Sequence, residues 1–316
     1  MTQKQGWKLV AAAAVALGLA FSPIAAMADV LSFSQVGGFT LGTAQSVNQP
    51  GTQGGVEFFG ATGFNSTYEQ IGWGCGNAGS TQPGGFCSAA NNTVVTTSPV
   101  TGLPPAPGQP VDFPQNFRSA LDLDVFSGQV TIGDPNFTAI SSLQHYNRTI
   151  GQDSASLSQI TIDTLLTLDT VPPSGSDSDP GQVVLGFNET LNAAINCFAG
   201  GPNPCADVFT FQQAVFNPVV LTIGGQQYLV EFNLTFPATT FDERTNTTVT
   251  NGALFPGDPA CQLPEGNICT NENAISEAII GIRVSLIPTT VPAPASLLLL
   301  GFGLSGLGVA GWLRRK

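Results

Sequence analysis

Positive charge is scarce in this chain. Nine lysines and arginines stand against 21 aspartates and glutamates over 316 residues. Five of the nine, Lys4, Lys8, Arg314, Arg315 and Lys316, lie at the two ends. Between them lysine is absent and four arginines face all 21 acids, a balance of about −17. Such a surface repels phosphate backbones and argues against a nucleic-acid partner. It favours solubility outside the cell and weak attraction of cations. Histidine is nearly missing as well: His145 is the single imidazole. Long amphipathic helical patterns are also lacking, while 37 glycines and 23 prolines punctuate the chain. A helical bundle is thereby excluded, and a turn-rich β protein is expected.

What is present at the ends is apolar. Near the N-terminus, Lys4 and Lys8 precede an uncharged stretch from Leu9 to Phe21, and Ala26-Met27-Ala28 follows. A positive segment, an apolar segment and a small-x-small box make a secretory signal peptide over residues 1–28, with Ala26 and Ala28 as the cleavage determinants. Its partners are the Sec machinery and signal peptidase. Near the C-terminus, Ala295 to Leu313 is 19 residues without a charge, close to the ~20 that a helix needs to cross a bilayer. Trp312 stands at an interfacial position, and Arg314, Arg315 and Lys316 hold that end in the cytoplasm. The region 29–290 between these segments is therefore expected outside the inner membrane as one large β domain or two small ones.

The C-terminal 26 residues combine Val291-Pro292-Ala293-Pro294, the apolar span and the basic end. This arrangement resembles the PEP-CTERM sorting signal of bacterial exosortase substrates, with Ala293 standing where that family usually has glutamate. The resemblance implies an inner-membrane precursor in a Gram-negative bacterium. An exosortase would cut it near the proline motif, and the mature form would reach the cell surface or extracellular matrix. A plain membrane anchor is the simpler reading of the same span.

Six cysteines fall in three close pairs: Cys75 with Cys87, Cys197 with Cys205, and Cys261 with Cys269. Export to an oxidising compartment favours disulfides, and proximity favours these local pairs among the 15 connectivities that six cysteines allow. No C-x-x-C occurs, so a cysteine metal site is not indicated.

Strand signals are clearest in the second half. Leu121, Leu123 and Val125 alternate with Asp122 and Asp124, which places the apolar residues inward and the aspartates in water. Ser127-Gly128 suggests a bend. Ser158 to Leu168 alternates again. Pro218 to Phe236 reads as a hairpin turning at Gly224-Gly225, with Tyr228, Val230, Phe232 and Leu234 on one face. Ala278 to Ile287 is the last strand. Many strands and turn-rich loops with little helix indicate an antiparallel β-sandwich of jelly-roll type.

This middle region carries a second set of marks: Ile132-Gly133, His145-Tyr146-Asn147, the strand Ile160–Asp169, Phe187-Asn188-Glu189-Thr190-Leu191-Asn192, and Cys197–Cys205 followed by Asp207-Val208-Phe209. Over roughly 118–290 this layout resembles the THxN variety of PEP-CTERM proteins, with Gln144 in the place of the box threonine. The resemblance singles out His145, Asn147, Glu189 and Asn192 as box residues of unknown role and implies no established activity.

Chemistry is weakly signalled. No G-x-S-x-G elbow and no H-E-x-x-H pair occurs, although a triad assembled in space would leave no such trace. Glu57, Glu69, Glu189 and Glu231 are available to a glycosidase. Asp177-Ser178-Asp179 offers hard oxygen ligands for Ca²⁺ without EF-hand spacing, and reads as a solvated Gly/Pro loop; no cofactor is otherwise expected. These signals give a non-catalytic structural or adhesive domain associated with exopolysaccharide. The alternative is a carbohydrate-active enzyme or glycan-binding module displayed by the same signal.

Overall fold

The computed structural model describes residues 30–47, 55–74, 92–95, 119–147, 156–171, 175–189, 206–211, 217–243, 245–254, 261 and 267–288. These residues form strands and turns, with no helix among them. The segments that the sequence reads as a signal peptide and a sorting signal, including Ala26, Ala28 and residues 291–316, lie outside the described residues.

Five strands build the first half: β1 (Val30–Thr40), β2 (Gln45–Val47), β3 (Glu57–Ala61), β4 (Thr67–Trp73) and β5 (Thr93–Val94). Then come β6 (Ser119–Val125), β7 (Ser127–Thr131), β8 (Thr138–Tyr146), β9 (Ser156–Thr170), β10 (Ser176–Asn188) and β11 (Asp207–Phe211). The last group is β12 (Val219–Ile223), β13 (Gln226–Thr235), β14 (Thr239–Asp242), β15 (Thr247–Thr250), β16 (Ala253–Leu254), β17 (Asn267–Thr270) and β18 (Ile275–Leu286). Sixteen of them join one sheet, twelve along the path β12-β13-β18-β8-β6-β4-β1-β9-β10-β11-β17-β16 and β2, β3, β5 and β7 beside it, and β14-β15 is a separate hairpin. All pairings along that path are antiparallel; the short β3–β5 contact is parallel.

The sheet curls until its β12 edge returns to β10. The Thr222 backbone N–H donates to Asp177 Oδ2 at 2.8 Å. Gly175 sits so close to the β12–β13 turn that a Cβ there would lie 2.8 Å from the Gly224 nitrogen. The turn itself uses Gly224 and Gly225 at φ 58° and 81°, the left-handed values that a two-residue hairpin turn requires and that glycine adopts without a Cβ clash. The expected hairpin is thus present with its predicted turn.

Period-two alternation explains the interior. On β9, Ile160, Ile162, Leu166 and Leu168 are buried on one face. Two core clusters lie along the fold. Phe39, Phe58, Ile71, Trp73, Leu121 and Phe187 belong to one, and Leu31, Phe33, Leu168, Tyr228, Val230 and Val284 to the other. The long strands β1 and β9 feed both. The chain changes partners at Phe126: β6 pairs with β4 and β8, whereas β7 pairs with β1. The expected bend near Ser127-Gly128 is this change of partner.

Two sequence expectations need correction. Asp122 is not in water but 4% exposed. Its carboxylate accepts from Gln70 Nε2 at 3.1 Å, and the β14–β15 hairpin lies over that face, with Gln144 Nε2 donating to Thr240 Oγ1. Asp177-Ser178-Asp179 is not a loop but the start of β10, paired with β9 from Ser176–Asp169 onward. Pro180 is tolerated in that strand because β11 pairs only from Leu185, leaving an edge where no ladder donor is needed.

Candidate functional site

Three of the box residues, His145, Asn147 and Glu189, lie at one end of the curled sheet. Strands β4, β8, β10 and β17 end there, and β11 begins there. His145 is the last but one residue of β8 and faces inward with Leu143. On the sheet path β8 is separated from β10 by four strands, yet curling brings their ends face to face across the interior. The His145 ring stacks on Trp73 with centroids 5.8 Å apart and planes 12° from parallel. It meets the rings of Phe187 and Phe209 edge-on at 5.4 and 4.8 Å. Such edge contacts add roughly 0.5–1.5 kcal/mol each to the burial itself for aromatic pairs.

Polar contacts tie this aromatic cage to β17. His145 Nδ1 lies 2.9 Å from Thr270 Oγ1, and Asn147 Nδ2 donates to the Thr270 carbonyl at 3.1 Å. The Asn147 backbone N–H donates to Ala274 O at 3.0 Å. Trp73 Nε1 donates to Glu189 Oε2 at 2.8 Å. His145, Asn147 and Glu189, which the resemblance singled out, lie together around Trp73 and Thr270. Asn192 lies outside the described residues. Trp73, Thr270 and Glu272 carry no short motif of their own. Thr270 could have been suspected from its place directly after Cys269.

Cys261 and Cys269 form a disulfide with Cα atoms 5.7 Å apart, as their spacing suggested. It sits in a small cluster with Ala206, Val208 and Leu254 and fixes β17 beside β11, where Val208 is in register with Cys269. Cys75, Cys87, Cys197 and Cys205 lie outside the described residues.

Burial disfavours charge in the cage. Burial lowers the His145 pKa to about 3, so the ring is uncharged at neutral pH. Burial first, then the Asp207 carboxylate, raises the Glu189 pKa well above the ordinary range; the Trp73 hydrogen bond opposes this and Glu272 adds to it. Among the described residues His145 Nε2, Asn147 Oδ1 and Glu189 Oε1 have no hydrogen-bond partner. His145 is 3% exposed and Trp73 and Asn147 are fully buried. An imidazole with so low a proton affinity, hydrogen-bonded to a buried threonine, is poorly matched to general-base work near pH 7.

The carboxylates considered for glycoside hydrolysis are scattered. Glu57 is buried on β3, and Glu231 pairs with Arg283 at 2.9 Å. Glu69 lies near Asp124, which with burial raises its pKa. It belongs to a second acidic group on the outer face. There Asp122 is pushed up to about 8 by burial and then by Asp124, Glu243 and Glu69, against the Gln70 hydrogen bond. Among the described residues no group of three or more His, Cys, Asp or Glu is placed to hold a metal ion, and no helix is long and apolar enough to cross a membrane.

No family model and no curated protein matches the chain.

Proposed function

We propose that this chain is an exported precursor whose β domain is a structural or adhesive, non-catalytic module. In this reading an exosortase delivers it to the surface or extracellular matrix, in association with exopolysaccharide. The finer architecture we propose for the domain is a jelly-roll-like sandwich made by the curled sheet, supported by the contact of β8 with β10 and β11 through His145. The observation that carries the functional reading is the tail: a V-P-A-P motif, a 19-residue uncharged span and a basic end in that order. The last strand reaches Leu286, and the Ile287 N–H still bonds to Gln227 O at 2.9 Å. Val291 follows Ile287 by four residues in the sequence. The non-catalytic part of the reading draws support from the burial and neutrality of His145.

The test is genetic. Deleting the exosortase should leave a full-length precursor in the membrane fraction, and Pro292→Ala with Pro294→Ala should do the same. Unchanged release in both strains would remove the sorting reading and leave an ordinary anchor. Reducing-sugar release from matrix polysaccharide by the purified protein would instead favour an exported carbohydrase.

A further inference from the structure

The inner faces of three strands each break their apolar row. On β1 the inward series Leu31, Phe33 and Phe39 is interrupted by Gln35; on β9 the series Ile160, Ile162, Leu166 and Leu168 is interrupted by Thr164. On β8, Ser141 precedes Leu143 on the inward side. Gln35 is 6% exposed and Ser141 fully buried, and neither Gln35 Oε1 nor Ser141 Oγ has a hydrogen-bond partner among the described residues. Polar residues at core positions are costly unless something satisfies them. All three of these residues line one cavity of about 260 Å³, which lies where the two core clusters meet. Its walls are mainly apolar, from Leu123, Leu143, Ile162, Leu166 and Phe232. Its remaining polar lining, Asp179, Gln182 and Asn217, comes from the seam where β12 returns to β10. Lysine and arginine contribute nothing to the lining.

We propose that this cavity is a binding chamber for a small amphipathic molecule with a hydrogen-bond-donating head, an alcohol or primary amine on a short hydrocarbon. Size sets the tail. A dry apolar cavity of about 150 Å³ takes benzene, so 260 Å³ accommodates a guest of about eight to ten non-hydrogen atoms. Charge sets the head. The seam presents the Asp179 carboxylate beside Asp177, whose charge adds to burial in raising the Asp179 pKa, together with amide oxygens. A donor is welcome there, whereas the head of a fatty carboxylate would meet like charge. The chamber is independent of the sorting reading, since it uses residues of the folded domain alone.

A photoreactive diazirine derivative of 1-octanol tests this on the purified full-length protein, with crosslinks mapped to residues by mass spectrometry. Labels should fall on Leu123, Leu143 and Phe232. Competition by 1-octanol or n-octylamine should need at least about tenfold less compound than competition by octanoate, the scale expected when one acceptor contact is exchanged for like-charge repulsion. Val183→Trp, which fills the lining of β10, should abolish the label. Asp179→Asn at the rim should keep it while reducing the advantage of the amine over octanoate. Labels spread over the outer surface or confined to residues 295–313 would overturn the proposal. So would equal competition by octanoate, or an unchanged preference in Asp179→Asn, whatever the folding of Val183→Trp.

Discussion

Asp122 and His145 are buried titratable residues whose shifts act on stability at different ends of the pH scale. Asp122 titrates at about 8 in the folded chain and near ~3.9 unfolded. The folded state therefore binds more protons between these values, and stability falls as pH rises through that window. Glu189 shifts in the same direction. His145 has its folded value lowered to about 3 against an unfolded ~6.5; its stabilising effect is full above pH ~6.5 and is lost as pH falls toward 3. Between pH 6.5 and 9 the histidine is silent and only the carboxyls act. Thermal melts should therefore show Tm decreasing across that range, and Asp122→Asn should flatten the decrease; a Tm that rises with pH in wild type would contradict the burial described for Asp122. Replacing His145 by Gln can keep the contact with Thr270 but loses the ring packed among Trp73, Phe187 and Phe209. The expected cost is about 1–3 kcal/mol in denaturant melts, with delivery to the surface unchanged. Loss of a measured hydrolytic activity in a folded His145→Gln protein would assign the ring a catalytic role.

At the scale of elements, alternation made β6, β9 and β13 readable, and Gly224-Gly225 announced its turn. Alternation assigns a residue to a face but does not say whether another element covers that face. Asp122 was for this reason misplaced in water: the β14–β15 hairpin that shields it is remote in sequence. The turn-like composition around Asp177 and Pro180 likewise concealed a strand, because the long partner β9 supplies its ladder. Of the box residues, the motif gave His145, Asn147 and Glu189. Their meeting with Trp73 and Thr270 depends on the curl of the sheet, which no local pattern encodes. The Cys261–Cys269 disulfide was legible from spacing. Replacing both cysteines by alanine should cost about 2–3 kcal/mol by the loop-entropy model, and amide exchange should accelerate first in β17 and at Thr270. If exchange rose equally throughout the sheet, the bridge would not be a local staple. Non-reducing peptide mapping should return the same local pairing for Cys75 with Cys87 and Cys197 with Cys205, and crossed pairs would contradict the spacing argument.

For the whole molecule, the acidic, lysine-free domain between two apolar ends is what the account has to explain. In the proposed reading the region 29–290 resides outside the cell and the tail holds the precursor at the membrane for a time, with Arg314, Arg315 and Lys316 inside. In that reading Pro292 and Pro294 would serve by disfavouring helix in the residues before them, so that a protease could read an extended site. Cutting there would, in that reading, separate the β domain from the apolar span. Intact-mass analysis of protein extracted from the cell surface tests this most directly. The account predicts a chain that starts at Asp29 and ends near Pro292 to Pro294, with the apolar span gone. A mature chain that still ends at Lys316 would contradict it.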